Sequence, residues 1–123
     1  MGLTLLVVDD EAVTRRVVAY AMRALNVEVV DAPDAATALQ LAETRDINLM
    51  LVDINLPDMD GIALISRLRS ISRLDDTPII AFTARNNPDD EMRASEVGAI
   101  GFLYKPFSTQ ELRALVTHHM TAT

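Results

Sequence analysis

The stretch LLVVDDE, Leu5–Glu11, runs four aliphatic residues straight into three carboxylates. A second switch of the same kind follows in LMLVDINLPDMDG, Leu49–Gly61. Aliphatic runs without polar alternation read as strands covered on both faces. Like charges held side by side repel, and an unpaired buried carboxylate is costly. Carboxylates projecting from the end of a buried strand therefore call for a cation.

Outward from these two stretches, short aliphatic runs alternate with helical patterns along the whole chain. Strands are expected at Thr4–Val8, Glu28–Asp31, Leu49–Val52, Pro78–Phe82 and Gly101–Leu103. Helices are expected at about 12–25, 34–44, 60–71, 89–97 and 109–118. Val13, Val17, Ala21 and Leu25 recur every fourth residue and read as the buried stripe of the first helix, as Leu112, Leu115 and Val116 do in the last. Asn26 suits a helix C-terminus because asparagine tolerates the left-handed backbone. Asp34, Asp60 and Ser108 suit helix N-termini, where their oxygens meet free backbone N–H groups. The segment 85–95 has only a weak apolar stripe, which suggests a loosely anchored fourth helix.

At 123 residues, half of them apolar, the chain fits one domain spanning 1–123 with a single core. It has no cysteine, which excludes disulfides and thiolate metal sites and is compatible with a cytoplasmic location. No apolar run approaches the roughly 20 residues of a membrane span, and no signal peptide is visible, so no membrane association is expected. Leu6 stands where a myristoylation pattern needs serine or threonine. A net charge of −7 argues against direct, nonspecific binding of nucleic acid. Of eleven basic residues, ten are arginine, and the single lysine is Lys105 in GFLYKPF.

Five strands alternating with helices imply an α/β fold with a parallel sheet and right-handed crossovers. In the flavodoxin-like, doubly wound order 2-1-3-4-5, ligands bind outside the carboxyl ends of the strands, where the order reverses between strands one and three. Asp9, Asp10 and Glu11 follow strand one, Asp53 follows strand three, Thr83 ends strand four and Lys105 follows strand five. All would meet on one edge. Hard oxygen ligands without histidine or cysteine suit Mg²⁺. Lys105 offers a compact charge for a phosphoryl oxygen, Thr83 a hydroxyl donor, and Asp53 a carboxylate nucleophile able to form an acyl phosphate. Together they would neutralise a transferring phosphoryl group. Each residue alone has a plainer explanation: Asp9–Asp10 a solvated helix start, Asp58–Gly61 turn chemistry, Thr83 a strand-end hydroxyl, Lys105 a snorkelling side chain. Their joint occurrence at successive strand ends points to phosphoryl chemistry.

Through VVDDE, LVDINLPDMDG, PIIAFTA and GFLYKPF, essentially the whole chain resembles the receiver domains of two-component response regulators, a family that includes the chemotaxis regulator. The resemblance implies that Asp53 is the phosphoacceptor for a sensor histidine kinase or a phosphotransfer protein. It implies Mg²⁺ held by the carboxylates of Asp10 and Asp53, by the Asn55 backbone carbonyl, and by Asp9 largely through water. Thr83 and Lys105 match the hydroxyl and the lysine that hold the phosphoryl oxygens. Phe102 matches the aromatic position that acts with Thr83 as a switch, moving the surface of helix four, strand five and helix five. Arg85 falls at a variable position near the phosphoryl group, and His118 and His119 read as favourable charges at a helix C-terminus.

Such a module turns over no separate substrate. Its output would come from a downstream protein target or a fused output domain, with dimerisation on phosphorylation as one route. Two alternatives carry other expectations. An aspartate-nucleophile phosphohydrolase would need a second aspartate where Asn55 stands, and room for a cap. A receiver-like interaction module that is never phosphorylated would not need all five site residues, Asp9, Asp10, Asp53, Thr83 and Lys105.

Overall fold

Leu5–Val8 lie wholly out of contact with solvent, and the architecture is built around them. A computed structural model of the chain describes residues 2–83 and 88–120. The strands are β1 (Leu3–Val8), β2 (Val27–Ala32), β3 (Leu49–Asp53), β4 (Ile79–Thr83) and β5 (Gly101–Tyr104). They alternate with helices α1 (Ala12–Arg23), α2 (Ala35–Thr44), α3 (Gly61–Arg69), α4 (Pro88–Glu96) and α5 (Thr109–Met120), with one 3-10 turn at Ser72–Leu74. The sheet is parallel in the order β2-β1-β3-β4-β5. This is the doubly wound arrangement expected from the sequence, with strand limits within a residue or two. Among the described residues no helix is long and apolar enough to cross a membrane.

Side chains of a strand alternate between the two faces of the sheet, which explains why the central strands need no polar positions. Leu6, Val8, Met50, Val52, Ile79 and Ala81 pack with Ala38, Ala42, Leu64, Ile65 and Leu68 on the face covered by α2, α3 and α4. Leu5, Val7, Leu49, Leu51, Ile80 and Phe82 pack with Val18, Ala21, Met22, Leu112 and Val116 on the face covered by α1 and α5. Only Ala94 of α4 is fully buried, in keeping with its weak apolar stripe.

The buried stripe of α1 differs from the one expected. Val13 is 67% exposed, and Val18, Ala21 and Met22 are the residues that reach the core. A strict four-residue repeat drifts around a helix of 3.6 residues per turn, so Val13 and Ala21 cannot share the centre of one face. The helix also ends at Arg23, followed by Ala24 and Leu25 before Asn26 takes the left-handed backbone at φ 59°. The expected caps are in place. Asp34 accepts a hydrogen bond from Thr37 N–H and Asp60 from Ile62 N–H. Ser108 and Glu111 exchange two bonds of 3.0 Å as a reciprocal capping box.

Arginine forks close the opposite end of the sheet. Arg69 donates to the carbonyls of Leu74, Asp75, Thr77 and Gly98, and Arg73 to those of Ala42 and Arg45. These carbonyls lie at helix or turn C-termini, where the backbone lacks its own donors.

After β3 the chain doubles back so that Asn55 bridges Asp60, and Gly61 N–H donates to the Ile54 carbonyl. A Cβ on Gly61 would stand 2.2 Å from the Asp53 carbonyl oxygen and 2.3 Å from the Ile54 Cα. Both are backbone atoms that cannot swing aside. Alanine would add helix propensity of about 1 kcal/mol, but the backbone shift forced by such overlap outweighs it. Gly61→Ala is expected to lower stability in urea unfolding by about 2–3 kcal/mol. Gly2→Ala, with nothing within 4 Å, should stay within about 0.5 kcal/mol. Equal midpoints for the two variants would contradict the packing described.

Candidate functional site

The ladders level the strand ends. Val8 is paired with Val52, so Asp9 and Asp53 leave adjacent strands at neighbouring heights. Asp53 pairs with Phe82, and Thr83 with Tyr104, which sets Lys105 just beyond. The Lys105 N–H donates to the Thr83 carbonyl at 2.8 Å, and the peptide bond that follows, Lys105–Pro106, is cis.

Asp9 is fully buried. Its N–H donates to the Ala32 carbonyl on β2, and its Oδ1 accepts from Glu11 N–H at 2.9 Å in a turn that starts α1. Arg15, one turn into α1, reaches back to the Asp9 main-chain carbonyl at 2.7 Å and to Asp31 Oδ2 at 2.8 Å. Asp10 is exposed.

Asp53 is nearly buried, and its Oδ1 accepts from Asn55 N–H at 2.9 Å. The loop that carries Asn55 is tied to three helices. Asp58 accepts from the N–H groups of Ala35 and Ala36 at the start of α2, at 2.9 and 3.2 Å. Asp60 caps α3 and takes Arg93 of α4 at 3.1 Å. Asp58 is thus more than a turn former: it joins the loop to the N-terminus of α2, 23 residues away. The spacing of these partners leaves no local pattern in the sequence.

Lys105 closes the constellation. Its Nζ stands 2.6 Å from Asp9 Oδ2, 3.1 Å from Asp53 Oδ2 and 3.2 Å from Glu11 Oε1. It also lies 5.2 Å from the centroid of the Phe82 ring, which stacks on Phe107. This is a clasped ammonium rather than a snorkelling one. Burial alone would lower the Lys105 pKa, but the carboxylates of Asp9 and Asp53 outweigh it and hold the ammonium well above its ordinary value. For Asp53, burial dominates and pushes the carboxyl up to about 6, despite the Asn55 N–H and the Lys105 charge, with Asp9 adding to the rise.

Carboxylate oxygens of Asp9, Asp10 and Asp53 lie within 4.8 Å of one another. Asp9 Oδ2 is buried, with the Lys105 ammonium 2.6 Å away. Beside it opens a cleft of about 240 Å³ lined by Asp10, Glu11, Asp53, Asn55 and Lys105. Three converging hard oxygens fit a divalent cation such as Mg²⁺.

Thr83 is buried, on the face shared with Ala81, Phe102 and α4. Phe102 is half-buried, packs against the α3 and α4 side of the core, and is paired with Ala81. The residue directly opposite Thr83 is Tyr104, whose hydroxyl donates to Glu91 in the first turn of α4. Burial and the Glu91 carboxylate push the Tyr104 phenol up to about 12. Tyr104 was not singled out from the sequence, although the tyrosine directly before the only lysine was a usable signal. Arg85 lies outside the described residues. His118 and His119 sit at the end of α5, rings 4.9 Å apart, far from these groups in the fold's order of elements.

The family model for the response regulator receiver domain matches residues 5–117. The phosphate regulon transcriptional regulatory protein PhoB of Pseudomonas aeruginosa is 38% identical over 114 residues, covering 93% of this chain and 50% of that protein. The aerobic respiration control protein ArcA of Escherichia coli is 35% identical over 108 residues, covering 88% of this chain and 44% of that one. The chain spans about half the length of these curated relatives. Among solved structures, the chemotaxis protein CheY4 of Vibrio cholerae superposes with a TM-score of 0.93 at 28% identity, covering 97% of this chain and 99% of that one. With the family model matched over nearly its whole length, the chain belongs to the response regulator receiver domain family.

Proposed function

We propose that residues 1–123 form one phosphoacceptor unit, in which Asp53 takes a phosphoryl group from the phosphohistidine of a sensor histidine kinase or phosphotransfer protein. The observation that carries this reading is the position of Lys105 Nζ, within 3.1 Å of Asp53 and 2.6 Å of Asp9, beside the converging carboxylates. A nucleophile, a cation and an acidic ligand set share one cleft. Bound there by Asp10, Asp53, the Asn55 main-chain carbonyl and, through water, Asp9, Mg²⁺ would neutralise charge on the phosphoryl oxygens.

An Asp53 carboxylate oxygen attacks phosphorus, a P–O bond forms as the donor P–N bond breaks, and the imidazole nitrogen leaves with the electron pair and is protonated. The Lys105 ammonium moves from carboxylate to phosphoryl oxygen, and the Thr83 hydroxyl donates to another. The chain is thereby a cytoplasmic switch rather than an enzyme with a separate substrate. The donor has an apolar floor close by: a groove of about 500 Å³ beside Lys105, lined by Val13, Thr14, Val17, Pro106 and Phe107. This gives the exposure of Val13 a use. The message leaves through α4, β5 and α5, toward a protein target, a fused output domain or a second copy of the chain.

Three outcomes test the reading. The Asp53 carboxyl holds its proton more tightly in the folded chain than at the ordinary value of 3.8. Its contribution to stability is therefore present below about pH 4 and lost as pH rises through about 6. A cation reverses that loss only where the carboxylate is ionised. Millimolar Mg²⁺ should accordingly raise the melting temperature more at pH 7.5 than at pH 5. Without metal, Asp10→Asn should raise it by about 3–5 °C, as expected for roughly 1 kcal/mol of relieved repulsion. A melt indifferent to both changes would remove the metal site.

Acetyl phosphate with Mg²⁺ should add one base-labile phosphoryl group by intact mass, lost in Asp53→Asn and with a chelator. Equal labelling of Asp53→Asn would move the chemistry elsewhere, and no labelling of the unmodified chain would favour an unphosphorylated interaction module.

For the switch, NMR with beryllofluoride and Mg²⁺ should show shifts spreading from Asp53 through about 85–116. In Phe102→Ala the shifts near Asp53 should persist while the distal ones shrink. Distal shifts that survive intact would reduce Phe102 to packing.

A further inference from the structure

Two cations stand at the acidic cluster, and they hold it in different ways. Lys105 contacts carboxylate oxygens of Asp9, Glu11 and Asp53. A divalent ion must compete with it for those oxygens, and phosphoryl transfer draws it away. Arg15 instead spends one guanidinium nitrogen on the Asp9 main-chain carbonyl and another on Asp31 of β2. Its side chain is only 17% exposed. It brings a positive charge up to the cluster without taking a lone pair from Asp9, Asp10 or Asp53.

The turn from β1 to α1 needs such a hold. Repulsion between Asp9, Asp10 and Asp53 acts to push this turn outward from β3. Against it stand the Asp9 N–H bond to Ala32, the Glu11 N–H bond to Asp9 Oδ1, Lys105 and Arg15. When Lys105 turns to a phosphoryl oxygen, Arg15 keeps its hold on the Asp9 carbonyl and on Asp31.

We propose that Arg15 is a positioning residue for the metal-binding carboxylates: held by Asp31, it grips the Asp9 carbonyl and keeps the turn from β1 to α1 where Asp9 and Asp10 converge on Asp53. The proposal rests on the metal site of the preceding reading and adds the residue that preorganises it.

The sign of one measurement separates positioning from simple charge. By Coulomb's law alone, deleting a cation beside the site should tighten Mg²⁺ binding. Positioning demands the opposite. The experiment is an amide NMR titration with Mg²⁺ on the unmodified chain, Arg15→Ala, Arg15→Lys and Lys105→Ala, with metal-free thermal melts alongside. Arg15→Ala should weaken binding roughly tenfold, at the low end of what outer-shell changes cost. Arg15→Lys keeps the charge but cannot reach carbonyl and carboxylate with one planar fork, so it too should bind more weakly. Lys105→Ala, which removes a competitor, should bind more tightly. Unchanged or tighter binding in Arg15→Ala would overturn the proposal. If that variant does not fold, Arg15→Lys decides, and an affinity equal to the unmodified chain's would overturn it. A lower melting temperature with unchanged affinity would assign Arg15 to structure alone and likewise overturn it. No Mg²⁺ binding by the unmodified chain would instead defeat the metal site itself.

Discussion

The ammonium of Lys105, wedged between Asp9 and Asp53, is the contact on which the rest of the site depends. Asp9 and Asp53 are buried at the ends of neighbouring strands, where burial and the nearby Asp9 charge raise the cost of ionising Asp53. Water cannot relieve that cost for an oxygen with no solvent contact. A cation must, and the lysine supplies it. The neutralising charge sits on the flexible stem of Lys105, between two buried carboxylates.

That economy explains how arginine and lysine are divided in this chain. Arg69 uses its planar fork to bind main-chain carbonyls from two separate segments, Arg73 binds two carbonyls at the end of α2, and Arg15 binds the Asp9 carbonyl together with the Asp31 carboxylate. Their contacts are scaffolding, and a fork that fixes two or more acceptors gives up little freedom for each bond. Lys105 has a different task. Its ammonium is a compact point charge shared among the carboxylates of Asp9, Glu11 and Asp53.

The loops around the cleft are held from behind, leaving their functional oxygens at the front. Arg15 holds the Asp9 carbonyl, Asp58 is seated on the N-terminus of α2, and Asp60 joins α3 to Arg93 of α4. Gly61 allows the chain after Asp53 to press against its own backbone. The same anchoring links the site to α4, which is otherwise attached to the core only through Ala94 among its fully buried residues. Tyr104 and Glu91 make the second connection, next to Thr83. The helix is thus thinly packed and tied by polar contacts to the loop after β3 and to β5.

The fold was legible in the sequence because its signals are local. Continuous aliphatic strands mark a doubly covered parallel sheet, and Asp34, Asp60 and Ser108 mark helix starts through bonds that span two or three residues. The alternation of elements then carries Asp9, Asp10, Asp53, Thr83 and Lys105 to one edge, so their convergence was also readable. What tertiary structure alone decided are contacts whose partners lie far apart or whose geometry depends on exact rotation and register. The face of α1 is one case: an integral four-residue repeat cannot show which of Val13 or Val18 turns inward. Asp58 on α2, Arg15 on the Asp9 carbonyl, and Tyr104 rather than Phe102 opposite Thr83 are others. A strand pairing shifted by one residue would keep every local pattern and change each of these contacts, since side-chain direction in a sheet reverses at every step.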